Sequence, residues 1–590
     1  MSQEKRLKPF GEIPESFRGL KNEGIYYVDK TGFIPFLLSQ KCKICVFTRP
    51  RRFGKTLMLR TLQTFFEYRL DADGVPVDNR QYFEGLKVMD AGEDVLKEMG
   101  QYPVISLSLK EMRNDSLAEM ADKLRTALAS ACDAHAYLLN HPSLREAERE
   151  EFREILDKCE KQSALETALG NLCNWIYKAT GSKTVILIDE YDVPLQQAAI
   201  YDNHHPGTDL FEKTVKLVGN FISCGFKSNN NLAYGIIAGC MCVAKESIFT
   251  GMNNPGVIDV MTILPDEYWG FTEEEVMQML RYYHIEDKYP EIERWYDGYN
   301  FGGRKVFNPW SLLNAIRGLV NGEGEDAIQA YWVMTSGNDI IDDVIERNPQ
   351  HRELLAKMML DEAVKVKIYK NISYRDLKVN PDAIWSFLLY TGYLKALRVA
   401  KDEDDLLEAD VTVPNTEIKT VMRASLRHWW KNIKLARYDA HALLRALICG
   451  DIPNAEREIK LVLSDSTSVF DYNEVFYHGM LVGLLGNVAI VRSNDEYGEG
   501  RPDIVALAED TGVILEVKCV TPKALKNAGI QDNDRAKIKA MMAIKLDEAA
   551  KQIHDHEYIE AVLDDEPIAR TVKAYAVCFC KKWCVMREAK

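Results

Sequence analysis

Between residues 44 and 239 short apolar runs alternate with longer segments of helical period, and this alternation constrains the fold more than any other feature. CVFTRPRRFGKTLMLRTLQTFFEYRL reads as a strand, a loop and an amphipathic helix. PVISLSL, TVILIDEYD and NLAYGIIAGC read as further buried strands, and LAEMADKLRTALASACDAHAYLL is periodic at helical spacing. Buried strands separated by helices imply a parallel sheet covered on both faces.

After about Gly270 the texture changes. FTEEEVMQMLRYYHI and NPWSLLNAIRGLV read as helices, and the chain stays mostly helical to about Leu397. VTVPNTEIKTV, with its Pro and Asn, reads as a connector near residue 410. Four strand candidates follow, NVAIVRSND, RPDIVALAED, GVILEVKCV and KAYAVCFC, with a long helix over Asp534–Asp555 before the last. At roughly 100–200 residues per domain, the length implies about three or four folding units.

The loop Arg49–Thr56 reads RPRRFGKT. Phosphate-binding loops follow G-x-x-x-x-G-K-[ST]. Gly54, Lys55 and Thr56 fit, while Arg49 replaces the first glycine. The apolar strand Ile44–Phe47 leads in and a helix starts at Thr56, which aims backbone N–H groups and the positive helix end at a phosphate. Arg52 and Phe53 complete the expected cradle; Lys55 is expected on the terminal phosphates and Thr56 on Mg²⁺. Ile186–Glu190 is an apolar strand ending in two acids. Asp189 suits the Mg²⁺ shell, and Glu190 suits the task of orienting an attacking water. A surface turn and a solvated acid pair are the bland alternatives, and the presence of both motifs outweighs them.

The stretches YYVDKTGFI, RPRRFGKTLML, ILIDEYDVPL, AKESIFTGMNN, WYDGYNFGG with FNPWSLLN, and YWVMTSGND resemble, in order, those of the AAA-ATPase-like family of bacterial and archaeal proteins. The resemblance covers roughly residues 8–340 and implies an AAA-type core followed by a helical lid. It places Asp29, Lys30, Tyr296, Asp297 and Tyr299 near the nucleotide entrance. The family pattern has a Thr-Gly pair and then an arginine ahead of AKES, where this chain reads Ala238-Gly239-Cys240-Met241-Cys242. Neither Ala238 nor Cys242 can sense or neutralise phosphate charge, and in related enzymes such an arginine is worth ~10³–10⁵ in rate. Binding with slow turnover is the expectation.

A second constellation lies in GRPDIVALAEDTGVILEVK. In a hairpin, Asp503 begins one strand, while Glu516 and Lys518 share a face of the next. Asp503 and Glu516 offer hard oxygen ligands for Mg²⁺ or Mn²⁺, and Lys518 can orient a nucleophile or offset negative charge. On adjacent strands such a trio is also common at a solvated sheet edge. The arrangement resembles the PD-(D/E)XK nuclease superfamily over roughly residues 410–585. That resemblance implies Glu474, on the helix EVFYHGMLVGLL, as a further metal ligand, and Gln552 as a group facing the phosphate. His478, one turn from Glu474, reads as a structural hydrogen-bond partner.

The formal net charge of −15 excludes a general nucleic-acid coat, so any nucleic acid must meet a local basic surface or bound metal ions. Arg492, Arg501, Lys523, Lys526, Lys537 and Lys539 could form that surface or a merely solvated face. The opening residues lack the apolar core of a secretory signal and no apolar run approaches ~18 residues, so a cytoplasmic protein without a membrane span is expected. Thirteen cysteines, with one CxxC at Cys42 and Cys45, point to reduced thiols and not to zinc.

The fold expected is α/β, with an AAA-like P-loop domain over residues 1–268, a helical lid or winged-helix-like region over 269–409, and a PD-(D/E)XK nuclease-like domain over 410–590. ATP and Mg²⁺, or Mn²⁺ at the second site, are the cofactors expected. Nucleic acid, DNA ahead of RNA, is the partner expected, and a homo-oligomer is compatible with the sequence. The leading expectation is ATP-regulated phosphodiester cleavage. The alternative is a non-catalytic nucleotide switch whose nuclease-like domain only binds.

Overall fold

The computed structural model describes residues 8, 16–70, 74–158, 162–241, 248, 252, 255–262, 266–332, 349–359, 361–370, 372, 376–402, 406–422, 439–465, 474–486, 488–493, 495, 497, 500–531 and 534–589. Cys242, Lys245 and most of the AKESIFTGMNN and YWVMTSGND stretches lie outside these residues. The chain forms two compact units, residues 1–344 with 363–419, and residues 345–362 with 420–590.

In the N-terminal unit, β1 (Ile44–Thr48), β2 (Val104–Ser108), β3 (Thr184–Asp189), β4 (Leu232–Gly239) and β5 (Gly256–Ile258) form one parallel sheet in the order β2-β3-β4-β1-β5. β1 and β3 are buried along their whole length, which accounts for their unbroken apolar sequence. Because every strand runs the same way, the loop after β1, the acids ending β3 and the end of β4 meet at one edge. Helices Lys55–Phe66, Leu117–Asp133, Gln162–Thr180 and Leu210–Phe226 provide the connections.

The middle of the chain carries helices Glu273–Tyr283, Tyr289–Tyr296 and Pro309–Val320, with a small hairpin of β6 (Tyr299–Phe301) and β7 (Arg304–Val306) between them. The first helix opens on a capping box, Thr272 with Glu275, which satisfies two of its free amides. Strands β8 (Val364–Ile368), β9 (Lys395–Lys401) and β10 (Leu407–Thr412) add an antiparallel sheet in the order β8-β10-β9. The stretch read as a connector near residue 410 begins with Val411 and Thr412, the end of the central strand of this sheet, and then runs into a helix. Its Pro and Asn come after the strand, where Asn415 Oδ1 accepts the amide of Ile418 at 3.1 Å and starts helical residues 416–422.

The C-terminal unit is built on β11 (Ile490–Ser493), β12 (Ile504–Ala508), β13 (Thr511–Cys519), β14 (Thr571–Cys580) and β15 (Trp583–Ala589), hydrogen-bonded in that order. Only the β13–β14 pair is parallel, with helix Arg535–Asp555 in the crossover. Four of these strands are the expected ones. The fifth, β15, is hidden in the sequence by its charged end, REA. Helix Glu474–Leu485 covers the sheet, with Tyr477 stacked on Phe579 at 4.1 Å between centroids. Among the described residues no helix is long and apolar enough to cross a membrane, and none of the described cysteines forms a disulfide. Cys42 Sγ lies 3.0 Å from the carbonyl of Ile44, and Cys45 is buried within β1.

Candidate functional site

Gly54 adopts φ +80°, a conformation a glycine takes without strain, and turns the chain into helix Lys55–Phe66. Lys55 is 6% exposed. Its Nζ donates to the carbonyls of Arg49 and Pro50, each at 2.9 Å, and lies 3.4 Å from Cys240 Sγ at the end of β4. A phosphate at the loop would compete with those two carbonyls for the ammonium. Thr56 Oγ1 donates to Asp189 Oδ2 at 2.6 Å. Burial raises the pKa of Asp189, the Glu190 charge adds to that, and the Thr56 hydroxyl opposes it. A hydroxyl and a carboxylate oxygen side by side beneath a phosphate loop suit Mg²⁺. Glu190 sits at φ +51°, a left-handed conformation that is uncommon for a non-glycine residue, and its amide donates to Asp189 Oδ1 at 2.9 Å.

The loop is held from behind by aromatic rings. Phe53 is 2% exposed and meets Tyr299 and Phe301 edge-on, each at 4.9 Å. The guanidinium of Arg52 lies 4.1 Å from the centre of Trp310. Arg49 is fully buried; its guanidinium lies near Trp269 and Phe301 and donates to the carbonyl of Thr48. Tyr299 thus reaches the loop itself. Asp29 and Lys30 are engaged in local structure. Asp29 accepts from Thr31 and from the amide of Lys87, and Lys30 Nζ is bound by both oxygens of Glu275 and the carbonyl of Glu267.

Asp192 had no role in the sequence reading. It is buried, its Oδ2 accepts the amides of Cys240 and Met241 at 2.9 and 3.1 Å, and Lys55 is the leading charge favouring its ionised form against burial. The third acid of DEYD was the only signal for it. Ala238 is fully buried, so the end of β4 brings an apolar side chain to this edge.

In the C-terminal unit the β12–β13 register pairs Ile504 with Leu515, which sets Asp503 opposite Glu516. Asp503 N–H donates to Glu516 Oε2 at 3.4 Å, and Asp503 Oδ2 accepts the amide of Val517 at 2.7 Å. Lys518 Nζ pairs with Glu516 Oε1 at 3.0 Å. Glu516 is 0% exposed. Burial and then the Asp503 charge push its carboxyl well above the ordinary range, with Lys518 pulling the other way. Burial opposes the charge on Lys518, but Glu516, Asp503 and Glu474 together outweigh it and the ammonium pKa is raised. His478 Nε2 donates to the carbonyl of Asp503 at 2.8 Å, and Ser493 Oγ lies 3.1 Å from the same nitrogen. A carbonyl only accepts, so Nε2 carries the proton and His478 fixes backbone.

Glu474 opens its helix on an exposed surface. Crowding by protein raises its pKa, Lys518 draws it down and Asp503 pushes it up. It therefore lies within the field of the pair. Among the described residues, however, no group of three His, Cys, Asp or Glu side chains converges to hold a metal. Gln552 bonds to the hydroxyl of Tyr558, which also takes the amide of Arg501 and lies in the field of Glu516 and Asp503. Of the basic candidates, Arg492 is committed to Glu566 at 2.6 Å and Lys537 to Asp534 at 3.0 Å. Two adjoining carboxylates, one with a raised pKa caused partly by its neighbour, are a donor set whose repulsion a divalent cation would relieve.

Comparison with known proteins agrees with this geometry. Residues 13–249 match the family described as a predicted AAA-ATPase, and residues 472–589 match the PD-(D/E)XK nuclease superfamily. An uncharacterized protein in the vnfD 5′ region of Azotobacter chroococcum mcd 1 is 23% identical over 547 residues, covering 90% of this chain and 93% of that one. No solved structure matches the chain. The chain joins an AAA-ATPase-like domain of nucleotide-binding type to a domain of the PD-(D/E)XK nuclease superfamily.

Proposed function

We propose that the protein binds ATP at the Gly54–Thr56 loop and uses that binding to control metal-dependent cleavage of nucleic acid, DNA ahead of RNA, at the C-terminal hairpin. The meeting of Asp503, Glu516 and Lys518 on two paired strands carries this reading. A bound Mg²⁺ or Mn²⁺ would supply a Lewis acid and a water of lowered pKa. Asp503 and Glu516 would hold it through oxygen, with Glu474, whose carboxyl feels the charges of Asp503 and Lys518, as the third ligand. Lys518, tied to Glu516, would orient the nucleophile or offset charge on the phosphate. Gln552 would face the phosphate from its helix.

At the other site Lys55 would exchange the carbonyls of Arg49 and Pro50 for the terminal phosphates. Thr56 and Asp189 would hold Mg²⁺, and Glu190 would orient the attacking water. The apolar Ala238 at the end of β4 supports slow turnover, so occupancy by ATP, more than its hydrolysis, would set the state.

The reading is tested with linear duplex DNA, single-stranded DNA and RNA in Mn²⁺, with and without ATP, using wild type and Lys55→Ala. DNA cleavage that responds to ATP in wild type and ignores it in Lys55→Ala is expected. Cleavage indifferent to ATP in both removes the control. Binding of DNA without cleavage under every condition favours the switch reading.

A further inference from the structure

Glu417 is fully buried, and among the described residues no basic group pairs with it. A carboxylate in that position needs hydrogen bonds to offset lost hydration. Its Oε1 accepts the amides of Tyr331 and Trp332, each at 2.9 Å. Just before it, Asn415 Nδ2 donates to the carbonyl of Asp297 at 2.9 Å. The Pro414 carbonyl lies so close to Gly298 that a Cβ there would come within 2.3 Å of it. Tyr299, next along, meets Phe53 of the phosphate loop.

Trp332 closes the circle. It is 1% exposed, and its indole N–H reaches the carbonyl of Arg51 at 3.5 Å, the long limit of a hydrogen bond. Its ring meets Tyr393 edge-on at 4.6 Å, and the neighbouring Gly392 approaches Pro50 so closely that a Cβ would come within 2.8 Å. Residues 297–299, 331–332, 392–393 and 414–417 thus form a continuous shell behind loop residues 50–53.

Connectivity gives the shell a consequence. The first stretch of the N-terminal unit ends at residue 344 and its second at residue 419. Trp332 precedes the first exit and Glu417 precedes the second. We propose that Glu417 and Trp332 form a clamp that ties the back of the phosphate loop to both segments by which the chain leaves the N-terminal unit, and that nucleotide binding reaches the C-terminal unit through this clamp. This rests on the ATP-controlled reading above. Such coupling requires the clamp to take two arrangements whose balance nucleotide binding shifts.

The test uses the full chain as wild type, Glu417→Ala and Trp332→Phe, with DNA cleavage in Mn²⁺ measured with and without ATP. Basal cleavage is expected unchanged in both variants, while the ATP effect falls at least about fivefold, the low end of ordinary coupling. Trp332→Phe keeps most of the ring packing and carries the test if Glu417→Ala does not fold. If both variants keep the wild-type ATP effect, the clamp is overturned and ATP control stands. If wild type itself shows no ATP effect, both fall. Hydrogen exchange on wild type gives a readout free of variants. ATP is expected to change protection of the Tyr331 and Trp332 amides, and no change there overturns the clamp.

Discussion

Thr56 gives its hydroxyl hydrogen to Asp189 at 2.6 Å, so the loop after β1 and the strand end of β3 are joined across the intervening β4. Hydrogen bonds to a charged group are worth about 1.5–3 kcal/mol, and both atoms are the ones a Mg²⁺ shell would use. Thr56→Ala and Asp189→Asn should each weaken Mg²⁺–ATP binding about ten- to a hundredfold. Metal-free ATP binding should change much less. Titration of each variant with ATP, in Mg²⁺ and in chelator, checks this.

Phe53 is the apolar residue inside an otherwise basic loop, and its contacts with Tyr299 and Phe301 fix the loop from behind. Truncating a buried Phe costs about 3–5 kcal/mol. Phe53→Ala should lower the unfolding free energy by that much and weaken ATP binding, whereas Phe53→Leu should retain most of both. Equal behaviour of the two variants would contradict the packing role.

The two constellations were legible because each is local. Gly54-Lys55-Thr56 and Asp189-Glu190 follow apolar runs that can only be buried strands, and Asp503, Glu516 and Lys518 lie on one hairpin whose period-two spacing sets their faces. The shell behind the loop was not legible. Glu417 meets Tyr331 and Trp332 from 86 and 85 residues away, a pairing created by the fold alone. The end of β10 and the helix after it were read as a linker because Pro414 and Asn415, which lie between them, are residues common in loops. Glu474 and His478 could be assigned to one face of helix Glu474–Leu485 by helical spacing, but the distance of Glu474 from the hairpin depends on how that helix docks.

Glu417 makes stability depend on pH. Burial, opposed by the amides of Trp332 and Tyr331 and the hydroxyl of Ser311, raises its pKa from 4.5 to about 7. The folded protein therefore binds more protons than the unfolded chain between these values, and stability falls as pH rises through that window, then levels. The loss amounts to about 3 kcal/mol. Glu417→Gln should remove it, so urea midpoints at pH 5 and pH 8 should draw together. An undiminished difference would contradict the assignment.

Glu516 holds its proton above the ordinary carboxylate range because of burial and Asp503. A divalent cation must displace that proton. Mn²⁺ affinity should rise with pH between about pH 5 and 8, and calorimetry in buffers of different ionisation enthalpy should detect proton release. Glu516→Gln should abolish both. Affinity independent of pH would mean the metal does not meet this carboxyl.

The central claim is that the Asp503–Glu516–Lys518 hairpin cuts phosphodiesters with a divalent metal. Its most direct test is the rate of DNA cleavage in Mn²⁺ by wild type and Asp503→Asn purified side by side, with chelator as a control. The account predicts wild-type cleavage that chelator stops and a loss of at least about a hundredfold in the variant, the scale of removing one group that stabilises transition-state charge. Equal cleavage by both proteins would contradict it.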